Sequence, residues 1–159
     1  MIFVSTGTQL PFERLVRAVD EWAAESGIEV FGQIGNSTYL PRHFKFVKNM
    51  SPSDYMDYFN RADIVVGHVG MGTIISGLEN AKPLVLLPRK ASLGEHRNDH
   101  QLGTAEKFSS HQLIEVVYEE SEVGAAIERR LSSLGGLEAV VLEPSPQLIA
   151  RIRDFVLAD

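Results

Sequence analysis

Three short segments of this 159-residue chain bring together residue types that can hold an anion or a polyhydroxyl ligand. The densest is Gly67-His68-Val69-Gly70-Met71-Gly72-Thr73. Its glycines expose backbone N–H groups, Thr73 adds a hydroxyl, and His68 can donate to a phosphate or sugar oxygen. Such a run is either a phosphate cradle or a sharp turn with a structural histidine; it is neither a Walker pattern nor a complete GxGxxG. The second segment is Ser5-Thr6-Gly7-Thr8, whose small residues let the backbone approach a ligand, or simply make a tight strand-to-helix turn. The third runs from Pro88 to Gln101 and holds Arg89, Lys90, Glu95, His96, Arg97, Asn98, Asp99, His100 and Gln101. It has the donors and acceptors to grip a sugar, and cations to offset phosphate charge. A solvated loop is the alternative. His96, Asp99 and His100 do not have the spacing of a recognised ligand set, so no metal is expected.

These segments need a scaffold, and the flanking patterns supply one. Ile2-Phe3-Val4 reads as a strand, followed by an amphipathic helix with Phe12, Leu15, Val16, Val19 and Ala23 at helical spacing. Trp22 and Phe12 fall on its buried face. Residues 29–34 and 44–47 read as two further strands. Ser51-Pro52-Ser53-Asp54 is a helix start, and the helix runs to about Asn60. Buried strands are expected at 62–67, 83–88 and 113–117, and helices at 72–80, 98–108, 123–134 and 146–157. Apolar strands alternating with helices imply a parallel sheet covered on both faces, a Rossmann-like doubly wound α/β fold in a single domain over 1–159. In such folds ligands bind beyond the C-terminal ends of strands, where all three segments fall. Tyr55, Met56, Tyr58 and Phe59 crowd one short helix and suggest a partner interface. The apolar residues of the last helix suggest a docking element.

Composition narrows the classes. A net charge of −6 argues against nucleic acid as the partner, and the absence of cysteine excludes disulfides, zinc–thiolate sites and a thiol nucleophile. It fits a cytoplasmic protein. The start of the chain lacks the basic and apolar regions of a signal peptide, and no apolar run is long enough to span a bilayer.

The ordered set Ala62 to Thr73, Lys82 to Pro88 and Asn98-Asp99-His100-Gln101 resembles the C-terminal domain of glycosyltransferase family 28. It is most similar to stand-alone versions of that half. These are the small, PssE-like subunit of bacterial exopolysaccharide transferases and the cytosolic catalytic subunit of the two-part dolichol-pathway N-acetylglucosaminyltransferase. The resemblance implies the donor-binding half of a GT-B hexosyltransferase that moves a sugar from a UDP-sugar to a lipid-linked saccharide acceptor with inversion. It implies a membrane-associated partner subunit that supplies the acceptor half and the general base, a cytoplasmic location at the inner face of the membrane, and no cofactor or bound metal. The resemblance places Thr6, Gly7, His68, Gly70, Met71, Gly72, Thr73, Asp99 and Gln101 at the donor, and the chemistry of the first and third segments adds Thr8, Arg89, Glu95, His96 and Asn98 to the expected set. Where some members carry a ribose-binding Glu, this chain has Ser76, and Glu79 one turn on is the expected substitute. A non-catalytic UDP-sugar-binding module that regulates a separate transferase is the rival reading.

Overall fold

The computed structural model describes residues 1–134. The helix expected at about 146–157 lies outside them. Six strands, β1 (Ile2–Ser5), β2 (Val30–Gln33), β3 (Lys45–Val47), β4 (Ile64–His68), β5 (Leu84–Leu87) and β6 (Ile114–Val116), pair in parallel in the order β3-β2-β1-β4-β5-β6. Five α-helices connect or follow them: α1 (Glu13–Ser26), α2 (Pro52–Arg61), α3 (Met71–Glu79), α4 (His100–Phe108) and α5 (Val123–Ser133). The expected Rossmann-like doubly wound sheet is therefore present.

The central strands β1, β4 and β5 are largely apolar and buried because both faces of the sheet are covered, while the edge strands β3 and β6 carry Lys45 and Glu115. Side chains alternate along a strand. Ile2 and Val4 thus enter one core with α1 and α5, while Phe3 enters the other with Phe59 of α2, Ile74 and Leu78 of α3 and Ala105 of α4. Each such side chain, once buried, contributes roughly 1.5–3 kcal/mol. Phe12 is fully buried and Trp22 packs on the first core while its indole N–H reaches Glu128, as the helical spacing predicts. The aromatic patch of α2 packs on the sheet, with Phe59 buried and Tyr55, Met56 and Tyr58 partly exposed. Tyr58 stacks on Phe31 at 4.0 Å, Tyr55 meets Phe3 edge-on at 5.3 Å, and Phe59 is buried, because α2 lies across the β1–β2 side of the sheet.

Local sequence sets the element ends. The Ser51 hydroxyl accepts the Asp54 amide with Pro52 at the first helical position, and α1 stops at Gly27 in the left-handed conformation. The helix α3 begins one residue before the expected Gly72, and α4 begins at His100 instead of Asn98. No helix links β2 to β3. Instead Asp20 of α1, 1% exposed, accepts hydrogen bonds from the amides of Arg42 and His43 and from the Tyr39 hydroxyl. Burial alone would raise its pKa, but these donors outweigh burial and hold the carboxyl below its ordinary value. The connection is thereby pinned to the helix.

Candidate functional site

The strand order reverses between β1 and β4. The chain leaves β1 toward α1 on one face and leaves β4 toward α3 on the other, opening a crevice at the C-terminal ends of both strands. The His68 ring stands in that crevice between two glycines. A Cβ on Gly70 would lie 2.4 Å from His68 Nε2, and one on Gly7 would lie 3.0 Å from Cε1. Gly7 also has φ +74, a conformation that favours glycine. Gly70 caps α3 without a side chain, and the first helical bond runs from the Ile74 amide to the Gly70 carbonyl. The amides at the start of α3 therefore carry partial positive charge with no side-chain cap.

Two cavities meet here. One of about 290 Å³ is lined by Thr6 to Leu10, His68, Gly70, His96, His100 and Gln101, among others. The other, about 420 Å³, is bounded by Gln33, Met50, Tyr55, Met56, Gly72, Thr73 and Ser76. Gly7, Thr8 and His68 belong to both, so they form the divide within one continuous cleft. All three segments singled out from sequence thus converge on it. The end of β2 converges too: Gln33 is buried and faces the second cavity. The strand-end rule applied to residues 29–34 would have found it.

Several expected contacts need correction. Arg89 is 3% exposed, and its guanidinium donates to four backbone carbonyls, those of Thr6 (2.6 Å), Leu10 (2.8 Å), Pro11 (2.9 Å) and Glu95 (2.9 Å). Four of its donors are spent on the protein, so the side chain is fixed as part of the wall of the smaller cavity. Glu95 is likewise committed. Its carboxylate takes two bonds from Arg14, each 2.9 Å, and one from the Lys90 amide. Asp99 turns its carboxylate to the Ala91 amide at 2.8 Å, and Asn98 turns inward to His100. Neither lines the two cavities. Met71, 48% exposed, points away from them, and Glu79 is exposed at the far end of α3, while Ser76 faces the second cavity. Glu79 is therefore not in position to replace a ribose-binding carboxylate. Gln101 remains at the site, although its side-chain carbonyl accepts the Arg89 amide at 3.1 Å. Outside the expected donor set, one cavity also takes in Gln9, Leu10 and His100, and the other Gln33, Met50 and Tyr55.

Burial, with the Arg89 charge adding to it, lowers the His68 pKa from 6.5 to about 4. His68 is thus neutral near pH 7, and its Nδ1 is buried without a partner among the described residues. The unfolded chain takes up this proton near pH 6.5, the folded chain only near 4. Between those values the unfolded state binds more protons, so acidification destabilises the fold and the loss ends below about pH 4. The slope is at most about 1.4 kcal/mol per pH unit. Urea midpoints should fall less between pH 7 and 5 for His68→Asn than for the wild type; equal falls would show that His68 does not set this dependence.

Among the described residues no group of histidines and carboxylates could hold a metal ion, and no helix is long and apolar enough to cross a membrane. Residues 1–135 match the glycosyltransferase family 28 C-terminal domain. The chain is 30% identical over 118 residues to the UDP-N-acetylglucosamine transferase subunit ALG13 of Homo sapiens. That alignment covers 67% of this chain and spans 10% of the curated relative's length. An NMR solution structure of ALG13 is similar with a TM-score of 0.60 at 16% identity, covering 95% of this chain and 93% of that one. CalG4, the calicheamicin glycosyltransferase, gives 0.60 at 19% identity, covering 99% of this chain and 42% of that one. The glycosyltransferase VinC in complex with dTDP gives 0.53 at 14% identity, covering 98% and 40%. At these identities the structural likenesses establish the fold.

Proposed function

Because this chain belongs to the glycosyltransferase family 28 C-terminal domain family, we propose that it binds the UDP-sugar donor of a two-part inverting hexosyltransferase. One observation carries the reading: the uncapped start of α3 faces a cleft in which His68 is wedged between Gly7 and Gly70. A diphosphate seated there meets the helix amides and an imidazole donor. The larger, more apolar cavity, walled by Met50, Pro52, Tyr55 and Met56, suits the nucleoside. The smaller, polar one, with Thr6, Thr8, His96 and Gln101, suits the sugar. As the sugar leaves, the charge developing on UDP falls on the same amides, which are already in place and need no reorganisation.

In this proposal a membrane-associated partner subunit presents a lipid-linked saccharide acceptor, and the product feeds bacterial exopolysaccharide or cell-surface glycan synthesis. The chain then works as a cytoplasmic protein held peripherally at the membrane through that partner. The relative named as a transferase subunit supports the division of labour. The isolated chain is expected to bind donor and turn it over poorly; rapid transfer without any partner would contradict this.

His68→Ala should lower UDP affinity by about tenfold or more, the loss of one hydrogen bond to a charged group. Isothermal calorimetry with UDP checks it, and an unchanged dissociation constant would remove His68 from the site.

A further inference from the structure

We propose that Gln33 is a base-specificity residue whose carboxamide reads the imide edge of the nucleobase, the N3–H and adjacent carbonyl that uracil and thymine share. The inference rests on the donor-binding reading above and deepens it from a diphosphate site to a base-selective one.

Sheet register sets the geometry. Gly67 of β4, Ser5 of β1 and Gln33 of β2 stand in line across three neighbouring strands. Side chains alternate along a strand, so Ser5 and Gln33 share the face of Phe3 and Phe31, which α2 covers. Gly67 adds no side chain to this rung, and a Cβ there would lie 2.9 Å from the Ser5 carbonyl oxygen. The rung therefore makes a low, polar floor to the larger cavity, which Ser5 and Gln33 both line. Met50, Tyr55 and Met56 give the same cavity its apolar wall.

The floor carries polar groups that the protein itself does not use. Gln33 is 4% exposed. Its backbone is held firmly, because its carbonyl accepts the Thr6 amide at 3.1 Å and the Thr6 hydroxyl at 3.3 Å. Its carboxamide makes no hydrogen bond among the described residues and faces the cavity. The hydroxyl of buried Ser5 is likewise unpaired among them. Buried carboxamides are ordinarily paired, since an unmade bond in a dry setting is costly. A ligand in the cavity supplies the missing partners.

The position along the rung selects which part of the ligand arrives there. Strands lie about 5 Å apart, so Gln33 stands roughly 10 Å from Gly67, at the strand that leads to α3 and the diphosphate. The ribose then crosses Ser5, and the base comes to lie over Gln33 with its flat faces against the apolar wall. A carboxamide presents one acceptor beside one N–H donor. The imide edge presents N3–H beside a carbonyl, so two parallel hydrogen bonds form.

Isothermal calorimetry on the full chain with UDP, N3-methyl-UDP and 2′-deoxy-UDP tests this. The wild type is expected to bind N3-methyl-UDP at least about tenfold more weakly than UDP. Gln33→Leu, of similar size, should bind UDP about tenfold more weakly than the wild type and no longer distinguish it from N3-methyl-UDP. The same substitution should cost 2′-deoxy-UDP the same factor. If the wild type binds no UDP, the donor reading fails and this inference falls with it. If UDP binds and methylation at N3 costs the wild type nothing, this inference alone is overturned. It is also overturned if Gln33→Leu keeps the full penalty for methylation, or if its loss vanishes with 2′-deoxy-UDP, which would put the carboxamide on the ribose. The wild-type comparison needs no substitution, so it decides the matter even where a Gln33 variant fails to fold.

Discussion

Arg89→Met is expected to destabilise the fold by about 3–5 kcal/mol, more than any other single change at the cleft. The side chain keeps its length, so packing against Phe12, over whose ring the guanidinium sits at 4.6 Å, is partly retained. What disappears is the hydrogen bonding. The carbonyls of Thr6 and Glu95 are bonded in a buried setting, and those of Leu10 and Pro11 are partly buried. A buried acceptor left unpaired costs roughly 1–3 kcal/mol, while the partly buried ones recover some hydration. Burial draws the Arg89 pKa down to about 10, with Glu95 opposing the fall, so the guanidinium is still charged at neutral pH. Arg89→Lys should rescue only part of the loss, since one ammonium cannot span four carbonyls from a fixed planar fork. Thermal unfolding would read the Met variant as a drop of roughly 10 °C in Tm. A loss below about 1 kcal/mol would mean that the loop finds other donors and that Arg89 is free to meet a ligand after all.

Gly70→Val should abolish measurable UDP binding, by about 100-fold or more, while leaving most of the stability intact. The separation of effects follows from where the new atoms go. The Cβ alone falls 2.4 Å from His68 Nε2 and 3.0 Å from Cε1, so the ring must leave its place between Gly7 and Gly70. It is displaced into the cleft, where it fills the volume in front of α3. The backbone at Gly70 is extended, with φ −101 and ψ 134, which a β-branched residue adopts freely. Calorimetry with UDP together with urea unfolding checks both halves. Retained affinity would place the diphosphate elsewhere, and Gly70→Ala is expected to show the same defect in weaker form.

The contrast between these two positions shows what the chain order makes legible. Gly70 and His68 stand two residues apart, so their joint chemistry can be read from the string of letters, as can the strand and helix that hold them. The same holds for β4 and β5, whose apolar runs are long enough to be unmistakable. Arg89 misleads because a cation in a polar loop reads as a ligand contact. Its partners are backbone carbonyls at Thr6, Leu10 and Pro11, which no side-chain pattern reveals. Glu95 misleads for the same reason, its partner Arg14 lying on α1. Asp20 gave no signal at all, since one acid on a helix face looks solvated until Arg42 and His43 turn their amides to it. The crowded α2 aromatics suggest a partner interface in sequence, yet Phe3 and Phe31 on adjacent strands give Tyr55 and Tyr58 surface to pack on. The ribose expectation at Glu79 failed on helix geometry, because Ser76, not Glu79, shares the cavity side of α3.

The place of β1 in the sheet has a consequence for the order in which the protein assembles during synthesis. This early strand becomes a central one, flanked by β2 and β4. As the chain leaves the ribosome, Ile2 to Ser5 can find Val30 to Gln33 soon, but its other edge stays bare until Ile64 to Gly67 emerge. The loop after it waits longer still, because Thr6 is fastened by Arg89, and Arg89 in turn by Gln101. At about 5–20 residues per second the nascent chain spends seconds with that strand half paired. A donor bound as proposed cannot shorten the interval, since His100 and Gln101 join the cleft only once α4 has been made.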